Sequence, residues 1–249
     1  RIDKGRQEAT NNIYVLDDEL DVVGEVEGIA ENERIYSTRF VNDRLYMVTF
    51  RQVDPFFVVD LADPKNPEIL GELKIPGFSR YLHPYDENHI IGIGQDATAT
   101  GRTQGLKVSL FDVTDVTNPK EVAKFETQSR YARSTAEYEH KAFLFSKEKN
   151  LLVIPAYSYD YRDGEDNSYN GAFVFRITED EILLRGLIDH SKNVDSNRYR
   201  YRSAVLRSGY IGEELYTLSE SFLRINSLQD LEGIKNLDLS TSGANFPVY

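Results

Sequence analysis

Two histidines and a carboxylate are the first residues that could do chemistry. His83 and the pair Glu139-His140 fall at matching places in two segments read below as inner β-strands. Two imidazoles and a carboxylate form the ligand set of a mononuclear metal ion, and such an ion could assist hydrolysis. The plainer reading is that each histidine satisfies a local hydrogen bond at a strand end. Equivalent places in neighbouring repeats can also lie too far apart to share an ion. His89 and His190 read as turn residues. A second ligand set lies in residues 160–171, the most polar loop. There Asp160, Asp163, Glu165 and Asp166 offer the hard oxygens that suit Ca2+. The ligand register and closing glutamate of an EF-hand are absent, and a solvated loop accounts for the same composition. Ca2+ is the one cofactor these residues suggest.

Arg198, Arg200 and Arg202 alternate with Tyr199 and Tyr201. On a strand this puts three guanidiniums on one face and two phenols on the other. Such a face could grip an anionic ligand, for example a carboxylated sugar, or it could pair with acids of a neighbouring repeat. Gly92, Gly94 and Ala97 have the G-x-G-x-x-A spacing of a dinucleotide fingerprint. That fingerprint needs a helix whose N-terminus faces the pyrophosphate, and residues 97–105 hold two glycines and no apolar helical stripe. A strand hairpin with a long loop is the better reading. No G-x-S-x-G elbow, P-loop or H-E-x-x-H occurs, and no catalytic residue is assigned.

The elements that must position these residues come in repeats. Asp60, Asp63, Asn66 and Pro67 are matched 52 residues later by Asp112, Asp115, Asn118 and Pro119 (112 − 60 = 52). A long fixed period marks a repeat architecture. Each motif is turn chemistry. Asp at the end of an apolar strand, then Asp and Asn-Pro, closes a turn through side-chain-to-backbone bonds, and proline starts the next strand. Strands are lettered a to d from the centre of the fold outward. The first full repeat has strands at 35–41, 45–50, 56–61 and 68–74; the second at 78–85, 89–95, 107–113 and 121–125. The third has 137–145, 151–156, 172–177 and 182–188; the fourth has 198–206, 214–219, 221–226 and 234–239. Four short strands per unit of about 50 residues predict an all-β fold, a β-propeller of four-stranded antiparallel blades. The whole chain, 1–249, reads as one propeller region with blades near 34–74, 78–126, 134–188 and 198–239. Residues 12–26 read as the c and d strands of a partial blade. Because an open sheet edge is a liability, the reading expects upstream blades: this chain is either the C-terminal part of a longer propeller or one of two polypeptides that close the ring together.

Composition narrows the function classes. The chain has 249 residues, 40% hydrophobic, with 16 Tyr and 13 Phe, which suits one large β-rich core rather than disorder. Lys and Arg total 29 against 41 Asp and Glu, a net charge of −12, and such a surface repels nucleic acid. With no Cys there is no thiolate, disulfide or Cys-based zinc site. No apolar run is long enough to span a membrane.

Longer stretches carry a family resemblance. Tyr46 to Pro55, Leu73 to Ser79, His83-Pro84-Tyr85-Asp86-Glu87-Asn88-His89, and His140 to Phe145 followed by Asn150 to Pro155 are its motifs. They resemble the secreted bacterial and archaeal proteins with a C-terminal β-propeller distantly related to WD40 repeats, over nearly the whole chain. The Asp-rich turns also resemble those of LVIVD-repeat surface propellers. The resemblance implies an extracellular or cell-surface propeller with more blades than this chain holds, and it implies no reaction. The expected function is therefore a non-catalytic module that binds or scaffolds a protein or polysaccharide partner. The alternatives are a metal-assisted hydrolase with its site in the propeller channel, and a structural subunit of a surface layer or extracellular filament.

Overall fold

The computed structural model describes residues 10–50, 54–98, 100–162, 165–191 and 203–239, which pack as two compact units, Arg1–Glu126 and Thr127–Tyr249. In the first unit, β1 (Asn11–Leu16) and β2 (Val22–Ile29) form a two-stranded antiparallel sheet. Next come β3 (Arg34–Val41), β4 (Arg44–Phe50), β5 (Asp54–Asp60) and β6 (Glu68–Ile75), a four-stranded meander in chain order. A second meander follows, with β7 (Phe78–Pro84), β8 (His89–Ala97), β9 (Thr103–Asp112) and β10 (Lys120–Glu126).

The second unit opens with two 3-10 turns, Thr135–Glu137 and His140–Ala142. They lead into β11 (Leu144–Ser146) and β12 (Leu151–Ser158). A small ribbon, β13 (Tyr161–Arg162) and β14 (Glu165–Asp166), interrupts the meander before β15 (Tyr169–Ile177) and β16 (Ile182–Asp189) complete it. The last sheet is β17 (Val205–Ile211), β18 (Glu214–Ser219), β19 (Phe222–Ser227) and β20 (Gly233–Asp238). The described residues form no α-helix. The fold is all-β, built from four-stranded antiparallel blades.

The burial of each strand follows from its place in a blade. The b and c strands β4, β8, β9, β12 and β15 are near-continuous apolar runs and are buried along almost their whole length. The outer strand β10 alternates exposed and half-buried residues along its whole length. In the first unit the two full blades meet through aromatic rings. Phe56 stacks on Phe111 at 4.5 Å between centroids, and Phe50 lies 4.5 Å from Phe78. Ile13, Val26 and Ile29 of the two-stranded sheet close on Leu45, Met47, Phe57 and Val59. In the second unit Val153, Val174 and Ile188 pack with Val205, Leu215 and Leu228.

The two repeated turns are closed by their aspartates. Asp60 accepts from the Ala62 amide (2.9 Å) and Asp63 from the Lys65 amide (3.0 Å), while the Asn66 amide side chain donates to Asp63 (2.7 Å). In the second copy Asp112 accepts from the Thr114 amide (2.8 Å), and Asp115 accepts from both the amide (3.1 Å) and the hydroxyl (2.7 Å) of Thr117. Asn118 N–H closes back on the Asp115 carbonyl at 3.0 Å, as Asn66 does on Asp63. Pro67 and Pro119 then lead into β6 and β10. Each turn also leans on the outer strand of the sheet before it. A Cβ on Gly24 of β2 would fall 2.2 Å from the Pro64 carbonyl oxygen and 2.9 Å from Pro67 Cδ, and one on Gly71 of β6 would fall 2.4 Å from the Val116 carbonyl oxygen. Only glycine allows that approach.

Two inner strands differ from the sequence reading. Residues 137–145 are not a strand. Ser134 Oγ accepts from the Ala136 amide and Glu137 accepts from the Ser134 amide, both at 3.1 Å, a capping box that turns the chain instead. Only Leu144–Ser146 pairs with β12. In the last sheet the inner strand is Val205–Ile211 rather than 198–206. Most of the expected segment lies outside the described residues.

Candidate functional site

His83 sits on β7 with Nδ1 3.1 Å from the Tyr81 hydroxyl. Burial first, and the charge of Arg39 second, push its pKa down to about 4, so it is neutral at physiological pH. Glu139 and His140 belong to the second unit, in the second 3-10 turn and its cap. The Glu139 carboxylate is already engaged. It accepts from the Lys141 amide at 3.0 Å and lies 3.8 Å from Arg207 Nη2. The strand that was to align His140 with His83 is replaced by turns, so the matching places that suggested a shared ion do not exist. Among the described residues no three His, Asp or Glu side chains converge to hold a metal.

The polar loop is a structured ribbon. Asp160 is buried, its amide donating to Ser168 Oγ at 3.0 Å and its carbonyl accepting from the Asn167 amide at 2.8 Å. Glu165 and Asp166 are exposed on β14, with Asp166 accepting from the Ser168 amide at 3.1 Å. Asp163 lies outside the described residues, as do Arg198, Arg200 and Arg202. The glycine-rich segment is internal to β8. A Cβ on Gly94 would meet the Phe78 carbonyl oxygen at 1.8 Å, and one on Gly92 would meet Ser79 Oγ at 2.3 Å. These glycines let β7 and β8 pack closely; they cradle no phosphate.

What the structure assembles instead is a tyrosine surface at one end of the second unit. Arg133 and Tyr157 exchange both backbone hydrogen bonds (2.9 and 3.0 Å), and Ser129 Oγ meets Ser158 Oγ at 2.9 Å. These bonds lay the segment before the 3-10 turns along the end of β12. Tyr157 lies 6.1 Å from Tyr159, ring to ring, and its hydroxyl interacts with Tyr138. Burial, reinforced by Tyr138, pushes the Tyr157 pKa up to about 12. Around this half-buried ring, Tyr138 and Tyr159 are 72 and 48% exposed, and Tyr131 and Tyr161, close by in the chain, are 42 and 72% exposed. The Arg130 guanidinium lies over the Tyr131 ring at 4.7 Å. Exposed phenols present a flat apolar face with a hydrogen-bonding hydroxyl at its edge. The signal in the sequence was the close spacing of Tyr157 and Tyr159, which reading for metal ligands passed over.

His190 lies in the bend that follows β16, where the sequence reading places a turn residue, and it is fully buried. Its Nδ1 lies 3.0 Å from Ser219 Oγ and its Nε2 2.8 Å from Thr217 Oγ1, so it ties β16 to β18. Burial, then Arg224, push its pKa down to about 4, with Asp189 opposing. His89 opens strand β8 rather than lying in a turn, with its Nδ1 2.9 Å from Asp86 in the bend before it.

The family model described as "Beta propeller domain" matches residues 1–231. An uncharacterized protein of Methanocaldococcus jannaschii is 38% identical over 233 residues, covering 94% of this chain and 33% of that protein. An uncharacterized protein of Archaeoglobus fulgidus is 45% identical over 158 residues, covering 62% of this chain and 24% of that protein. The chain thus spans a third or less of the length of these curated relatives. Among solved structures, a Bacteroides ovatus crystal structure assigned as a dipeptidyl aminopeptidase IV is 10% identical with a TM-score of 0.47, covering 86% of this chain and 30% of that one. The AfRom2 CNH domain is 8% identical with a TM-score of 0.39, covering 89% and 59%. No helix among the described residues is long and apolar enough to cross a membrane.

Proposed function

This chain belongs to the beta propeller domain family, and on that premise we propose that it is a non-catalytic extracellular or cell-surface module that binds a neutral polysaccharide. The observation that carries the reading is the tyrosine surface. The exposed phenols of Tyr138 and Tyr159 flank the half-buried Tyr157 ring at the end of β12. Flat rings stack on the apolar faces of sugar rings, and their hydroxyls meet the sugar hydroxyls. The net charge of −12 disfavours acidic polymers and so selects uncharged ones.

The test is affinity electrophoresis of the purified protein through gels holding neutral or acidic soluble polysaccharides. Retardation by a neutral polymer, lost at least tenfold in the Tyr138→Ala/Tyr159→Ala double variant with an unchanged urea midpoint, supports the reading. Equal migration in every gel, or a variant that binds as well as the parent, removes it.

A second partner belongs to the same proposal: a polypeptide that completes the sheet of β1 and β2. Among the described residues β1 pairs only with β2, whereas the equivalent c strands β5, β9, β15 and β19 have neighbours on both sides.

A further inference from the structure

Each sheet carries a bulge in its outer strand, and the residue after the bulge occupies an equivalent place. That residue is Gly24 in β2, Gly71 in β6, Ala123 in β10, Gly186 in β16 and Lys235 in β20. Three of these places are seats for the c–d turn of the following sheet. Pro64 sits on Gly24, Val116 on Gly71, and the Leu231 side chain on Gly186, where a Cβ would meet Leu231 Cδ1 at 2.9 Å. Leu231 adopts φ +65°, a conformation disfavoured for leucine, and it packs against the core around Val153 and Val174.

The β1–β2 turn shares the length and the left-handed leucine of the β19–β20 turn, although Leu231 N–H bonds four residues back, to the Ser227 carbonyl at 2.9 Å. It too has five residues between its strands, and Leu20 is the fourth, as Leu231 is. Leu20 has φ +69°, its amide bonds back to the Asp17 carbonyl at 3.0 Å, and an acid follows it, as Glu232 follows Leu231. Yet Leu20 is 75% exposed, the most exposed large apolar side chain among the described residues. A leucine held in a left-handed conformation and aimed into solvent is a plug without its seat.

We infer that Leu20 docks on the outer strand of another blade, one that carries glycine after its bulge. A second copy of this chain does not offer that seat. Gly24, Gly71 and Gly186 are filled by the chain's own turns, and the exposed place on β20 is Lys235. The occupant is polypeptide beyond residues 1–249, and the relatives, which this chain covers to 33 and 24%, have room for it. The inference rests on the proposal that another polypeptide completes the β1–β2 sheet, and it specifies the contact.

The experiment is photocrosslinking from p-benzoylphenylalanine placed at Leu20, in the chain as cells make it together with everything it folds with, followed by peptide mass spectrometry. The same probe at Leu231 is the positive control and marks the strand of Gly186. The expected product joins position 20 to a glycine-bearing strand peptide outside residues 1–249. A crosslink to a second copy of this chain, or to a peptide without glycine, overturns the inference. Native mass separates the two levels. Foreign polypeptide in the particle without a crosslink at position 20 sinks the plug and leaves sheet completion standing. A particle built of 28.5 kDa chains alone sinks both.

Discussion

Gly71→Ala isolates the packing between blades. Gly71 does not adopt a positive φ, so the added methyl brings no backbone strain of its own, and the whole penalty comes from contact. The new Cβ would lie 2.4 Å from the Val116 carbonyl oxygen and 2.9 Å from Thr117 C, both backbone atoms of a turn pinned by Asp115. Neither can swing aside as a side-chain tip would. Overpacking of this kind costs about 1–3 kcal/mol, and Gly→Ala at a permissive site returns about 0.4–1 kcal/mol through the unfolded chain. The expected net loss is therefore about 1–2 kcal/mol. Gly209→Ala is the control: it sits on a strand with nothing within 4 Å of its would-be Cβ and should be neutral or slightly stabilising. The assay is urea unfolding followed by tyrosine fluorescence, which the 16 tyrosines and the lack of tryptophan make direct. If Gly71→Ala matches Gly209→Ala within about 0.3 kcal/mol, well inside the shift predicted from overpacking, the turn does not seat on the outer strand. The docking argument for Leu20 then falls with it.

Burial holds His190 at about pH 4 against 6.5 unfolded, so the unfolded chain binds the extra proton and stability falls as pH drops through that window. Between pH 7 and 4.5 this one group should cost about 2–3 kcal/mol, seen as a smaller acid-induced loss in His190→Gln than in the parent; parallel losses would refute it. Lys107 and Glu121 form a buried ion pair at 2.9 Å. Lys107→Met should cost about 3–5 kcal/mol by stranding the carboxylate, and adding Glu121→Leu should recover much of that; an unchanged midpoint in the single variant counts against the pair. Asp115 is held below the usual carboxylate range, first by the Thr117 hydroxyl and then by the Thr117 amide. Its contribution is present above pH 3.8 and lost as pH falls through the lower folded value, so Asp115→Asn should lower the midpoint at pH 7 more than at pH 2.5.

The parts of the fold legible in the sequence are those decided within a few residues. Asp60, Asp63 and Asn66 bond to backbone two or three positions away, and so do Asp112, Asp115 and Asn118. Their spacing therefore announces turns, and the strands on either side follow from apolar runs such as β4 and β9. The inner strand of the third sheet was missed for an equally local reason, the Ser134–Glu137 capping box, which the residues display to a reader looking for it. The candidate metal set rested on a longer-range inference. His83 and His140 looked equivalent by position, but equivalence in a repeat holds only if both segments are strands, and the second is not. The chain by itself determined turns, strand order and the four-stranded repeat, because hydrogen bonding and alternation act over short spans. The tertiary structure alone decided that Tyr138 joins Tyr157, that His190 is sealed against Thr217 and Ser219, and that glycines seat turns about 40 residues away. Those contacts depend on how sheets stack, and stacking is settled by side chains too distant in sequence for any local pattern to register.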